Sequence, residues 1–362
     1  MRLIGKQEIE DIAVGAALLG TGGGGDPYIG KLMALQAVEE FGPIKLITVD
    51  EVPDDALVVP SAMMGAPTVM VEKIPSGNEA LVAFEALQNY LGKEIYATMP
   101  IEAGGVNSLL PLALAAKLGL PVVDADGMGR AFPELQMVTF YLDGVSATPM
   151  VLSDEKGNSS ILNTVNSVWA ERIARVATVE MGGSTQLSIY PMDGKTVKES
   201  SIHNTLLLEE NIGKAIREAK QNNLNPITEV LKLTNGHSLF TGKVSDIDRK
   251  TETGFARGMA TIEGMEGNQG ETLYLYFQNE HLLAKTDDKV LCITPDLIAV
   301  LDADTGLPIT TEGLRYGARC VVVGLPADAK WRTEKGIETA GPRYFGYDLD
   351  YTPLEKLLEG GQ

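Results

Sequence analysis

From Gln7 to Val123, short apolar runs of β type alternate with stretches of helical periodicity, and that alternation ends at Asn235-Gly236. Strands separated by helices pair most readily in parallel, because each crossover helix returns the chain to the same end of the sheet. The helical stretches are Gln7–Leu19, Pro27 to about Glu40, Asn78–Leu91 and Asn107–Leu118. Asp26 reads as the N-cap of the second, with Pro27 at its first helical position. The β-type runs are Ile44–Val49, Ala56–Ser61 leading into Met64-Gly65-Ala66-Pro67, Glu94–Met99 and Pro121–Val123. Further helices are expected over Asn163–Val176 and Leu206–Thr234, flanking an apolar run at Thr185–Tyr190. After Asn235-Gly236, β-type runs such as Thr272–Phe277 and Leu297–Leu301 are separated by Gly/Asp turns, Asp302-Ala303-Asp304-Thr305-Gly306 among them. The expected architecture is an α/β domain with a largely parallel sheet over 1–236, then a β-rich sandwich or barrel over 237–326. The tail, 327–362, is expected to pack back on the α/β domain.

A chain of 362 residues suffices for two cores. Its net charge of −19 argues against nucleic acid and anionic membrane surfaces, since both need clustered Lys and Arg. Cys292 and Cys320 are the only cysteines and form no CxxC, which fits a reducing compartment without a thiolate zinc site. The start, MRLIGKQEIEDIAVG, has no apolar core of signal-peptide length, and no apolar run is long enough to span a bilayer. A cytoplasmic protein is expected.

Chemistry concentrates in loops at the carboxyl ends of the β-type runs, where open parallel sheets bind ligands. Gly20, Gly22 and Gly25 satisfy GxGxxG, but a helix precedes the run where a dinucleotide fold needs a strand. One reading is a flexible turn between helices. The other is a cradle in which Gly22, Gly23 and Gly24 hold an anionic ligand group through backbone N–H groups. Met64, Gly65, Gly104 and Gly105 are candidate substrate-binding positions at neighbouring strand ends. In Asp124-Ala125-Asp126-Gly127-Met128-Gly129-Arg130, residues two apart on an extended strand end point the same way, so both carboxylates would face one site. Two carboxylates that close need a cation, a shared proton or an arginine. Arg130 is one candidate and a divalent metal another. Glu102 adds a third carboxylate, Asn107 is a polar anchor, and Glu134 stands one helical turn past Arg130 as a surface pair. His203, His237 and His281 form no HxH or HExxH and read as structural or exposed, His237 at the domain boundary being the first to test. There is no GxSxG elbow, so hydrolysis would depend on carboxylates activating water, with a metal as an option.

The strings EAGGVN (102–107) and PVVDADGMGRAFPE (121–134) carry a resemblance to a known family. GTGGGGDP near the start, GFARG (254–258), FQNE (277–280), TPDLI (294–298) and GPRYFGYD (341–348) extend it over essentially the whole chain. The sequence resembles the S-methyl thiohydantoin desulfurases, often found near or fused to hydantoinase/oxoprolinase proteins. That resemblance implies a Rossmann-like N-terminal domain and a β-rich C-terminal one. It also implies hydrolysis of a five-membered thiohydantoin-type ring, releasing the sulfur substituent and leaving a hydantoin. The partner would be a small cyclic amide or thioamide. In the alternative the chain is a non-catalytic accessory of a hydantoinase-type protein, and assembly with further copies of itself is also open. The reaction needs a base, an acid and a charge stabiliser. Asp124 or Asp126 is expected as base or metal holder and Glu102 as partner acid, with Arg130 and the glycine amides balancing charge.

Overall fold

A computed structural model describes residues 1–65, 69, 73, 75–252 and 254–359. Ala66-Pro67, read above as part of a strand-end loop, lie outside the described residues. The N-terminal strands are β1 (Arg2–Ile4), β2 (Ile44–Ile47), β3 (Leu57–Gly65), β4 (Ala97–Pro100), β5 (Val122–Val123) and β6 (Ala125–Asp126). They continue as β7 (Met150–Ser153), β8 (Ser159–Leu162), β9 (Ser184–Ser188), β10 (Met192–Asp193) and β11 (Ile202–His203). One sheet runs in the order β1-β2-β5-β4-β3-β9-β7-β8, with β10 also on β3. Its centre, β2-β5-β4-β3, is parallel. Antiparallel strands extend it on both sides. All but the last residue of β3 is buried, as befits a strand covered on both faces.

The helices are α1 (Lys6–Leu19), α2 (Pro27–Phe41), α3 (Glu79–Leu91), α4 (Gly105–Leu118), α5 (Thr139–Leu142) and α6 (Ser167–Glu180). They are followed by α7 (Gly194–Ser200), α8 (Thr205–Gln221), α9 (Pro226–Thr234), α10 (Glu334–Ala340) and α11 (Leu354–Glu359). Asp26 caps α2 by accepting the Tyr28 N–H at 2.8 Å. The helix expected to run unbroken from Leu206 to Thr234 is two helices, α8 and α9. Pro226 cannot continue a helix, and Asn225 starts a new one by accepting the Thr228 N–H at 3.1 Å. α4 is apolar almost all round and buried along most of its length, so it forms a central post rather than an amphipathic cover. α1 and α8 cross at two glycines. A Cβ on Gly15 would stand 2.0 Å from the Glu209 carbonyl oxygen, and one on Gly213 2.0 Å from that of Asp11. That close crossing brings the start of α8 up behind the loops at the carboxyl ends of β4 and β5.

From His237 to Leu325 the chain is built on strands: β12 (His237–Glu252), β13 (Phe255–Gly264), β14 (Thr272–Gln278), β15 (Glu280–Lys285), β16 (Val290–Ile293), β17 (Leu297–Asp302) and β18 (Arg319–Leu325). They form an antiparallel sheet, β16-β15-β14-β13-β12-β18-β17, whose ends curl towards each other so that β15 and β16 meet β17. The result is a half-barrel around Phe240, Val244, Ile262, Leu275, Val300 and Val322. A larger core runs through both halves, joining Leu18, Val58 and Met99 to Leu297, Val323 and Trp331. The tail touches both parts. The Tyr344 hydroxyl donates to Glu134 at 2.7 Å, while Leu354 N donates to Asp296 at 2.8 Å. Among the described residues no helix is long and apolar enough to cross a membrane.

Candidate active site between the two halves

β4 ends at Pro100 and α4 begins at Gly105, so Glu102 sits in the turn between a parallel strand and its helix. It is buried. Asn107, on the first turn of α4, donates to Glu102 Oε1, and the Phe132 N–H donates to Oε2 at 3.3 Å. Asn107 Oδ1 in turn accepts the Met63 N–H at 2.7 Å, locking the end of β3 to the same carboxyl. Burial is the largest influence on Glu102 and pushes its carboxyl up to about 8; the two hydrogen bonds pull down and the Asp126 charge pushes up.

The opposite wall comes from the half-barrel. Glu280, the first residue of β15, is also buried. Its Oε1 accepts the Gly24 N–H at 3.2 Å, and its Oε2 has no hydrogen-bond partner. Burial first, then the charge of Glu102, hold the Glu280 carboxyl well above the ordinary range, against the pull of Arg130. Between the two carboxyls lies a cavity of about 50 Å³, also lined by Gly24, Gly25, Met63, Met64, Gly65, Asn107 and Asn279, with Met128, Phe132 and Leu135 as its apolar side. Arg175 stands at its rim, bonded to Glu171 and to the Pro133 carbonyl at 3.0 Å. Glu134, at the same rim, lies in a turn rather than a helix and takes the Tyr344 hydroxyl instead of pairing with Arg130.

The glycine run is pressed between this wall and the Glu102 loop. Gly24 (φ +71°) and Gly105 (φ +57°) are left-handed, and a Cβ on Gly105 would stand 2.2 Å from the Gly24 oxygen. A Cβ on Gly23 would stand 2.0 Å from Glu280 Oε1. Gly24 and Gly25 line the cavity, whereas Gly22 packs on His281 and Thr311, and Gly104 packs on Gly20 and Ala131.

Asp124 and Asp126 do not share a site. The chain turns at Asp124, because β5 belongs to the large sheet while β6 pairs with β11, so the extended-strand argument fails there. Asp124 points to the start of α8 and accepts the Leu207 N–H at 3.2 Å. Asp126 Oδ2 accepts three backbone N–H groups, from Ala103 (2.7 Å), Met128 (2.8 Å) and Gly129 (2.7 Å). Burial pushes its carboxyl up to about 7 against those bonds. Arg130 lies behind the cavity rather than at its edge. Its five N–H groups go to the carbonyls of Ala131, Pro295, Asp296 and His281 and to Thr21 Oγ1, and the guanidinium stacks 4.4 Å from the Phe132 ring centroid. It joins the halves and has no donor left for a ligand. His281 is buried beside it, with Nδ1 on the Ile298 carbonyl, and burial lowers its pKa to about 4. Among the described residues no group of three or more His, Cys, Asp or Glu is placed to hold a metal ion. One oxygen of each of Asp126 and Glu280 and both of Glu102 accept N–H donors, and with no three ligands brought together the arrangement does not fit a metal.

The S-Me-THD-like N-terminal domain matches residues 7–164, and the S-Me-THD-like C-terminal domain matches residues 165–354. This chain belongs to the S-Me-THD-like family. A solved structure of a protein from Chromobacterium violaceum aligns with a TM-score of 0.80 at 23% identity, over 98% of this chain and 100% of that one, which speaks to fold alone. No curated protein matches. The S-Me-THD-like domains meet at 164/165, whereas the architectural change comes at His237, because β9 and β10 complete the large sheet after 165. Glu280, the second buried carboxyl lining this cavity, was overlooked in reading the loops one by one. The FQNE string carried it, and the signal was a polar pair, Asn279-Glu280, interrupting apolar β-type runs.

Proposed function

We propose that this chain hydrolyses an S-alkylated thiohydantoin ring, with Glu102 as base and Glu280 as acid. The observation that supports it most is a pair of buried carboxyls facing one cavity from opposite halves, one of them with an unpartnered oxygen. Burial raises both carboxyls and the Glu102 charge raises Glu280 further, so one can ionise while the other keeps its proton, which supplies a base and an acid at once. Asn107 and the Phe132 N–H favour the ionised form of Glu102, which suits the base. Glu280 Oε2, free of partners, is where an acidic proton would face the ring.

In this reading Glu102 takes a proton from water as its oxygen bonds to ring carbon 2. The carbon–sulfur bond then breaks, and Glu280 protonates the departing sulfur. The proton left on the new oxygen moves to ring nitrogen, giving the hydantoin carbonyl, and the proton on Glu102 passes to Glu280. One water is consumed and one thiol released. The apolar wall of Met128, Phe132 and Leu135 suits a flat ring and keeps the dielectric low, so the carboxyl charges act strongly. The test is thiol release from an S-methyl thiohydantoin by the purified chain, followed with a thiol reagent, with hydantoin measured alongside. Equal amounts of thiol and hydantoin are expected, unchanged by a chelator, because the carboxyl pair needs no metal. No thiol release would remove the reading, and loss of release on chelation would remove its metal-free form.

A further inference from the structure

The proposed reaction has a base and an acid, but Arg130, with every N–H taken, cannot meet the charge that builds on the ring. The turn that carries Glu280 offers a donor that can. Asn279 is the single residue between β14 and β15, and its backbone is left-handed, at φ +59°. Neighbours on an extended strand face opposite ways. The left-handed residue breaks that alternation, and Asn279 and Glu280 both line the cavity.

Asn279 is buried, and its backbone groups are both engaged. The N–H donates to the Ala256 carbonyl at 2.7 Å, and the carbonyl accepts the Thr311 hydroxyl at 2.8 Å. The side-chain Oδ1 accepts the Ala256 N–H at 2.8 Å. Only an oxygen can accept that N–H, so the amide cannot be turned round, and Nδ2 is fixed as its other end. Among the described residues Nδ2 meets no acceptor. Neighbouring donors are committed, the Asn107 amide to Glu102 and the Gly24 N–H to Glu280. A buried amide held rigidly at a cavity with an idle N–H is a donor already in place for a ligand.

An S-alkylated thiohydantoin carries a matching acceptor. With carbon 2 doubly bonded to the nitrogen between it and carbon 4, that bond is conjugated with the carbonyl at carbon 4. Attack on carbon 2 therefore drives negative charge through the nitrogen onto the carbonyl oxygen. The sulfur and that oxygen flank the same nitrogen, and the Cα atoms of Asn279 and Glu280 are about 3.8 Å apart as chain neighbours. We propose that Asn279 is a further catalytic residue, its Nδ2 donating to the oxygen on carbon 4 while Glu280 serves the sulfur. The assignment rests on the catalytic reading above, and it makes that carbonyl a required feature of the substrate. Such a donor holds the charged transition state more tightly than the neutral ring, so it acts on kcat more than on binding.

Asn279→Gly suits the left-handed backbone and removes the amide, whereas Asn279→Asp keeps an oxygen for Ala256 and replaces only the donor. Melting curves establish that each variant is folded. For S-methyl thiohydantoin, kcat should fall about a hundredfold in both with KM little changed, the scale of a lost oxyanion donor. Wild-type kcat in Asn279→Asp would reduce the amide to a tie on Ala256 and overturn the assignment. Calorimetry with two inert rings needs no turnover: hydantoin keeps the carbonyl at carbon 4, and ethylene urea lacks it. Hydantoin should bind the wild type several-fold more tightly than Asn279→Gly, the scale of one hydrogen bond, while ethylene urea binds both alike. Hydantoin binding that is absent, or equal in the two proteins, would overturn the contact even if thiol is released. A loss confined to hydantoin would uphold the contact even if the wild-type chain releases no thiol.

Discussion

Glu280→Gln is expected to cut thiol release by about a hundredfold or more while leaving the fold intact, the usual scale for a lost acid or base group. The change is nearly isosteric, so the Gly24 N–H keeps an acceptor and the close fit against Gly23 survives. What disappears is a transferable proton at a buried carboxyl oxygen that lines the cavity and has no partner. Stability should hold or rise, because a buried ionisable group is replaced by a neutral one. Turnover and melting temperature measured on one preparation separate the roles. Near-normal turnover would take Glu280 out of the chemistry.

Arg130→Met should act in the opposite way, with a large loss of stability and little change in KM for the folded fraction. Five N–H donors vanish from the junction, leaving the carbonyls of Pro295, Asp296 and His281 buried without them. Each buried carbonyl left without its donor costs about 1–3 kcal/mol. Denaturant unfolding checks it. An Arg130→Met chain of unchanged stability that had lost turnover would return Arg130 to the site.

The contrast between these residues shows what was legible in the sequence. The alternation of β-type runs and helices, the Asp26 cap and the change of texture at Gly236 are local signals, and local chemistry governs them. The turn that carries Glu102 and leads to Asn107 was legible for the same reason, since a polar turn between a strand and an apolar helix marks the carboxyl end of a parallel sheet. Asp124 and Asp126 were misjudged together because strand periodicity holds only within one strand, and the chain changes sheets at Asp124. Arg130 looked like a ligand cation because sequence cannot tell a free guanidinium from one whose donors meet carbonyls some 165 residues away. Glu280 became visible only once β15 was folded against the glycine run, a contact that no local pattern encodes.

The account stands on Glu102 and Glu280 working as one proton-sharing pair, and the pH dependence of kcat/KM for S-methyl thiohydantoin tests this most directly. A base raised to about 8 by burial should give a rate that climbs through that pH, with a fall at higher pH as Glu280 loses its proton. Removing the Asn107 hydrogen bond, which pulls Glu102 down, should move the rising limb upward in Asn107→Ala. A rising limb in the ordinary carboxylate range near pH 4, or one that Asn107→Ala leaves in place, would contradict the pair.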